Sequence, residues 1–343
     1  MKLITGLSFF AALASAIVFD LNKRDSPLDV KIEAVGNSGV KASITNTGAS
    51  DLKVFKTGSI LDTLAVEKAE VFAGSEQVAF DGIRLRLQTT GLTEDAFETI
   101  PAGTTVEVEW DVAEVHDLSA GGRFDVAAKG ALSYATAAGT DIAGTASFAS
   151  NVVSVNVDGA AAAKVRRAFR ENVKRTVVQS DCAGTQRTQT TTALSNCRAL
   201  AAAASSAAVS GSAAKMTEYF KSSTTATRST VAAVFARVAS ECGSTTSGVS
   251  RQYCTDIYPA CSAGVIAYTL PSQSYMVNCP TFFTMTALSR TCHAQDQATT
   301  AIQGTTDQSS CYGYSCVQSL TAAQNLRHAD TYALYANAIY VGC

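Results

Sequence analysis

Cysteine is absent from the first 181 residues of this 343-residue chain, and all ten cysteines fall between Cys182 and Cys343. An even number confined to one half excludes a disulfide framework for the N-terminal part. It implies one for the rest, formed in an oxidising compartment. Long apolar runs are lacking too: after the N-terminus, Ser, Thr and charged residues interrupt every stretch before it could span a bilayer. No charge of one sign dominates, with 27 Lys+Arg against 29 Asp+Glu and a net charge of −2. Without a basic run, nucleic acid is excluded as the expected partner. No Asn-x-Ser/Thr occurs, so N-glycosylation is not expected.

What is present begins with an export signal. Lys2 gives a positive start, Leu7 to Ala14 a short apolar core, and Ala14-Ser15-Ala16 a small-residue cleavage site. Residues 1–16 therefore read as a signal peptide, and the product as secreted and extracellular. The cysteine boundary divides the remainder into two domains. Between them, the charged segment Lys164 to Arg175 ends in the pair Lys174-Arg175, the kind of site a secretory processing protease cuts. The expected division is a β-rich propeptide over 17–175 and a mature domain over 176–343.

In the first of these, VKIEAV, VKASIT, LKVFKT, VEKAEVFAG, IRLRLQ, TVEVEWDV and VVSVNV alternate apolar and polar residues between turn-forming Gly, Asn, Asp and Ser. Seven such runs predict an all-β, antiparallel, sandwich-like domain. Its one histidine, His116, is expected to be solvated. The mature domain reads as mostly α, with helices over Thr191–Ser210, Arg228–Glu241 and Ser319–Tyr340. Gly264 to Met276 reads as two short extended runs around Pro271-Ser272, a small β-hairpin.

The most informative stretch is Cys292 to Gly313, CHAQDQATTAIQGTTDQSSCYG. CHAQDQATT, GT-x-D, a following Tyr-Gly and the C-terminal ADTYALYANAIY together resemble the deuterolysins, secreted fungal zinc metalloendopeptidases also called neutral protease 2 or aspzincins. The resemblance implies a preproprotein cut at a Lys-Arg pair, a zincin-like protease domain, a zinc cofactor, protein or peptide substrates, and a monomer. It also implies the bridges 182–254, 261–279 and 292–343 among Cys182, Cys254, Cys261, Cys279, Cys292 and Cys343. The residues themselves leave connectivity open, since six cysteines allow fifteen pairings. Cys197 with Cys242, and Cys311 with Cys316, could add a fourth and a fifth.

In that family CHAQDQATT leads into an H-E-x-x-H helix, which sets two imidazoles and a general base on one face. Here Thr300-Ala301-Ile302 runs straight into Gln303-Gly304, and no H-E-x-x-H occurs. One alignment makes GTTDQSSCYG the family's third-ligand motif with two residues inserted, leaving Asp307 as a metal ligand and Tyr312 as the oxyanion-supporting tyrosine. Another puts Gln303 and Asp307 where the histidines belong and Gly304 where the base belongs. The first is preferred because both GT-x-D and YGY match. A rebuilt site from His293, His328, Asp307 and Asp330 would have weak ligand spacing. For both histidines a surface or capping role is the expectation. Three readings follow: an active endopeptidase whose printed sequence has lost the motif, a secreted pseudoprotease that binds peptide or a partner, or a disulfide-rich structural or effector protein.

Overall fold

A computed structural model describes residues 26–172, 181–243, 250–302 and 311–343. The export signal, Lys174, Arg175 and Asp307 lie outside the described residues. The alternating runs become strands. These are β1 (Leu28–Val35), β2 (Gly39–Asn46), β3 (Leu52–Phe55), β4 (Glu70–Ala73), β5 (Glu76–Gln77), β6 (Arg84–Leu87), β7 (Phe97–Ile100), β8 (Thr105–Asp111), β9 (Gly122–Ala135) and β10 (Ile142–Val157). One antiparallel sheet runs β1-β2-β8, and another runs β5-β4-β9-β3-β7 with β10 paired to β9. Period two explains the layering. Val40, Ala42 and Ile44 of β2 point into a core shared with Val126, Leu132, Phe148 and Val155 of the other sheet. The sandwich-like architecture expected of this part is thus observed.

The sequence reading missed β9, because its run GRFDVAAKGALSYA is rich in Ala and Gly, poor strand formers. It is nevertheless central, hydrogen-bonded to β10, β3 and β4. Burial on both sides supplies what propensity lacks. His116 also corrects the expectation of a solvated loop residue. It is 1% exposed, and its Nδ1 lies 3.3 Å from the carbonyl oxygen of Val78. Burial pushes its pKa down to about 4. Helix α1 (Gly159–Asn172) closes this part, with Arg166 ion-paired to Asp81 at 2.6 Å.

The rest is mostly helical: α2 (Gly184–Ser210), α3 (Ala213–Phe220), α4 (Thr225–Cys242), α5 (Pro280–Thr284), α6 (Gln297–Thr300), α7 (Gly313–Ser319), α8 (Ala322–Asn325) and α9 (Ala329–Val341). No helix among the described residues is long and apolar enough to cross a membrane. Ala201, Ala204 and Ala208 give α2 a small buried face that meets Val231, Phe235 and Val238 of α4. Arg228 caps the end of α2, donating to the carbonyls of Ala208 and Gly211 at 2.8 and 3.1 Å. Tyr332 and Tyr335 on α9 meet Phe220 and Phe235 edge-on or tilted, with ring centroids 5.1 to 5.8 Å apart.

The helical region expected over Ser319–Tyr340 is observed as two helices, α8 and α9, that follow the end of α7 at Ser319. Asn325 donates to the carbonyls of Val317 and Leu320 and accepts from Thr331, and His328 takes an extended conformation that starts α9. A side chain thus competes with the helical ladder and breaks it. Five disulfides are formed: 182–254, 197–242, 261–279, 292–343 and 311–316. Every pairing anticipated from the sequence and its family resemblance is present.

The expected hairpin is β12 (Val265–Leu270) and β13 (Tyr275–Asn278), joined through Pro271–Gln273 and a left-handed Ser274. β11 (Arg251–Tyr253) adds in parallel on one side. On the other side stands β6, from the β-rich part, in a sheet ordered β11-β13-β12-β6. This corrects the assignment of IRLRLQ to the sandwich. All but the first residue of β6 is buried, as suits a strand enclosed on both faces.

Candidate functional site

β6 and β12 are antiparallel, with Leu87 opposite Val265, Arg86 opposite Ala267, Leu85 opposite Tyr268 and Arg84 opposite Thr269. Alternation sends the leucines and arginines of RLRL to opposite faces. Leu85 and Leu87 enter a core that contains Phe55 and Phe97 from the β-rich part and Tyr253, Tyr268, Val277 and Tyr312 from the other. Each such leucine contributes about 1.5–3 kcal/mol when fully buried. The two parts therefore share a continuous apolar core across β6.

On the opposite face, Arg86 Nη1 donates to Asp330 Oδ1 on α9. The two side chains are only 8% and 1% exposed. The other carboxylate oxygen, Oδ2, accepts the backbone N–H of Gly313 at 2.5 Å, where α7 begins. His328 stands beside this pair, entirely buried, and its pKa is pushed down to about 4 by burial, against the pull of Asp330. Asp330 is thus tied to one partner from each part of the chain.

The CHAQDQATT signature has a structural use. Asp296 caps α6, accepting from the N–H groups of Thr299 at 2.7 Å and Ser289 at 2.8 Å. Gln297 donates to the carbonyl of Phe282 at 2.9 Å. Gln295 reaches the β-rich part: its Nε2 donates to the carbonyl of Leu87 at 2.6 Å, and its Oε1 accepts from the N–H of Thr89 at 2.9 Å. His293 adopts a left-handed backbone (φ 59°) and stacks on Tyr314, ring centroids 3.7 Å apart. Its Nε2 meets the Tyr219 hydroxyl at 2.5 Å, and burial holds its pKa below the ordinary value. Tyr314 in turn donates to Glu218 at 2.8 Å. Of the two histidines expected to be surface or capping imidazoles, His293 is half-buried, and His328 is the fully buried N-cap residue of α9, without a side-chain cap hydrogen bond.

Tyr312 is the only assigned catalytic or metal residue among the described ones. It precedes α7, is 7% exposed, and belongs to the core that holds Leu85 and Leu87. Its hydroxyl stands against the turn at Gly58, where a Cβ would come within 3.3 Å of it. The β-rich part therefore covers this phenol. Arg86 and Gln295 escaped the sequence reading, because nothing local marks residues whose partners lie more than 200 positions away.

Among the described residues, the ligand groups present do not fit zinc. The sequence holds three histidines in all. His116 is buried in the β-rich part, His293 is stacked on Tyr314, and His328 is enclosed beside Asp330. Among the described residues, one group has ligand atoms close enough for a metal, namely Cys292, His293 and Cys343. Its two sulfurs are joined to each other in a disulfide, which removes them as thiolate ligands. Asp330, the carboxylate beside His328, is already committed to Arg86 and Gly313.

Comparison with known proteins agrees with the architecture. The profile of the Deuterolysin metalloprotease (M35) family matches residues 1–343. A Neutral protease 2 homolog of Colletotrichum graminicola is 61% identical over 354 aligned positions, covering 100% of both chains. One from Phaeosphaeria nodorum is 54% identical over 352 positions, covering 99% of each. One from Aspergillus oryzae is 40% identical over 358 positions, covering 100% of each. The chain belongs to the deuterolysin (M35) family of metalloproteases.

Proposed function

We propose that this chain is a secreted deuterolysin-type preproprotein whose C-terminal part, in the form its sequence specifies, holds an extended polypeptide without hydrolysing it. In this reading residues 1–16 direct export, 17–175 are the prosegment, and processing follows Lys174-Arg175. The observation that carries it is β6 laid along β12 with Arg86 reaching Asp330. Such strand addition gives affinity through main-chain hydrogen bonds and selectivity through side-chain pockets. The hydrolytic half is missing: no two imidazoles converge, and no H-E-x-x-H supplies a base. The Ala14-Ser15-Ala16 signal and the five disulfides support export.

A second reading has its own support. The alignment with the Colletotrichum relative spans 354 positions, eleven more than this chain has residues. An H-E-x-x-H segment of on the order of a dozen residues between Ile302 and Gly304 would account for a difference of that size. If the messenger RNA across the codons for residues 298–314 encodes that helix, the protein is an active zinc endopeptidase. For the chain as written, the secreted product is tested for bound zinc and for cleavage of a casein substrate with and without chelator. Substoichiometric zinc and no chelator-sensitive cleavage are expected. One equivalent of zinc with chelator-sensitive cleavage would overturn the reading.

A further inference from the structure

The geometry points to β6 as a lock that outlasts cutting of the chain: the β-rich part stays bound to the helical part, and the β12 edge stays closed, until the Arg86–Asp330 pair separates. The inference rests on reading the β-rich part as a prosegment. It adds that removal takes two steps, scission and then unlocking.

Three sets of contacts argue for retention. The first is the ladder between residues 84–87 and 265–269, continued by the Gln88 N–H donating to the Gly264 carbonyl at 2.7 Å. It occupies the hydrogen-bonding edge that any other extended polypeptide would need. The second is the apolar side, where Leu85 and Leu87 sit among Tyr253, Tyr268 and Tyr312, while the disulfide 311–316 packs on Ala131 of β9. None of these contacts depends on the covalent link between the two parts. The third is polar, with Gln295 gripping Leu87 and Thr89, and Thr57 Oγ1 donating to the Ala263 carbonyl at 3.1 Å.

Arg86 is the discriminating residue within this surface. Its guanidinium is buried with one carboxylate partner, and Nε and Nη2 make no hydrogen bond among the described residues. A buried ion pair of this kind is costly to break from one side, because the remaining charge has no water. Withdrawal of β6 strips Asp330 and Arg86 of each other at once, so the pair resists the first motion of departure. Once both reach water each is solvated, and rebinding must repay that solvation. The pair therefore acts mainly on the rate of leaving.

The test uses the full chain with one engineered, specific protease site inserted within residues 173–180, cut after folding. Size-exclusion chromatography and the dissociation rate of the two parts are read for wild type, Arg86→Lys and Arg86→Gln. The wild-type parts are expected to co-elute, with Arg86→Gln leaving on the order of 100-fold faster and Arg86→Lys in between. A cooperative melt and five intact disulfides before cutting establish that each variant folded. As a measurement needing no variant, the peptide Arg-Leu-Arg-Leu-Gln at millimolar concentration should block reassociation of the separated wild-type parts, and a peptide with both arginines replaced by Gln should not. Wild-type parts that separate on cutting, an Arg86→Gln rate equal to wild type, or peptides without effect would each overturn the lock. Because the cut is engineered, these outcomes do not depend on natural processing or on whether the chain hydrolyses peptides.

Discussion

Arg86 on β6 and Asp330 on α9 form a buried ion pair across 244 positions of sequence, and Asp330 holds the first N–H of α7 with its other oxygen. This one carboxylate thus joins a strand of the β-rich part to two helices of the other. Removing it should be felt in both.

Asp330→Ala leaves Arg86 buried without its ion-pair partner. A loss of about 3–5 kcal/mol is expected, read as a shift in the urea midpoint of the full chain. The double variant Arg86→Leu, Asp330→Leu removes both charges and should recover most of that loss. A double variant no more stable than Asp330→Ala would show that the carboxylate matters for Gly313 alone.

Acid should destabilise the protein through two histidines. His116 and His328 are each buried and held at about 4, against an ordinary value of 6.5. Both are neutral when folded, whereas the unfolded chain takes up a proton as pH falls below about 6.5. The stability they contribute is complete above that pH, declines as pH falls, and is gone once pH has passed through 4. Each accounts for on the order of 3 kcal/mol over this window. Arg166, close to His116, and Arg86, close to His328, each oppose protonation. Thermal melts from pH 7 to pH 4 should show a falling midpoint, and His116→Gln should flatten part of the slope.

Gly58 has a left-handed backbone (φ +72°), and a Cβ there would lie 2.7 Å from Leu87 Cδ1 and 3.3 Å from the Tyr312 hydroxyl. Gly58→Val is therefore expected to push β6 off its seat while the core around Val126 and Leu132 stays intact. Hydrogen exchange should rise at residues 84–89 and 265–269 by about tenfold or more, with β9 and β10 unchanged. Uniform loss of protection would mean that the turn supports the whole sandwich.

Gln295→Ala removes hydrogen bonds to Leu87 and Thr89 but leaves the Asp296 cap of α6 untouched. A cost of about 1–3 kcal/mol is expected. It should appear as faster exchange at the amide of Thr89, with helix α6 retaining its protection.

Much of this fold was legible in the chain. Alternation marked the strands of the sandwich, small and apolar faces marked α2 and α4, and the cysteines marked the disulfide-bonded part. These signals are local, set by side-chain periodicity and by the chemistry of thiols. CHAQDQATT carried the family. Yet its Asp296 and Gln297 hold loops, and its Gln295 grips the β-rich part.

By itself, then, the sequence determined the family, the segments that become strand or helix, and the absence of a two-histidine zinc motif. Only tertiary structure decided that IRLRLQ leaves the sandwich and completes the β12 sheet. In composition it matches any other alternating run, and its destination depends on an open sheet edge, a carboxylate on α9 and an apolar pocket assembled from distant residues. Tertiary structure likewise decided that the three histidines are buried or stacked. An imidazole's environment is made by what packs around it, and those neighbours come from elsewhere in the chain.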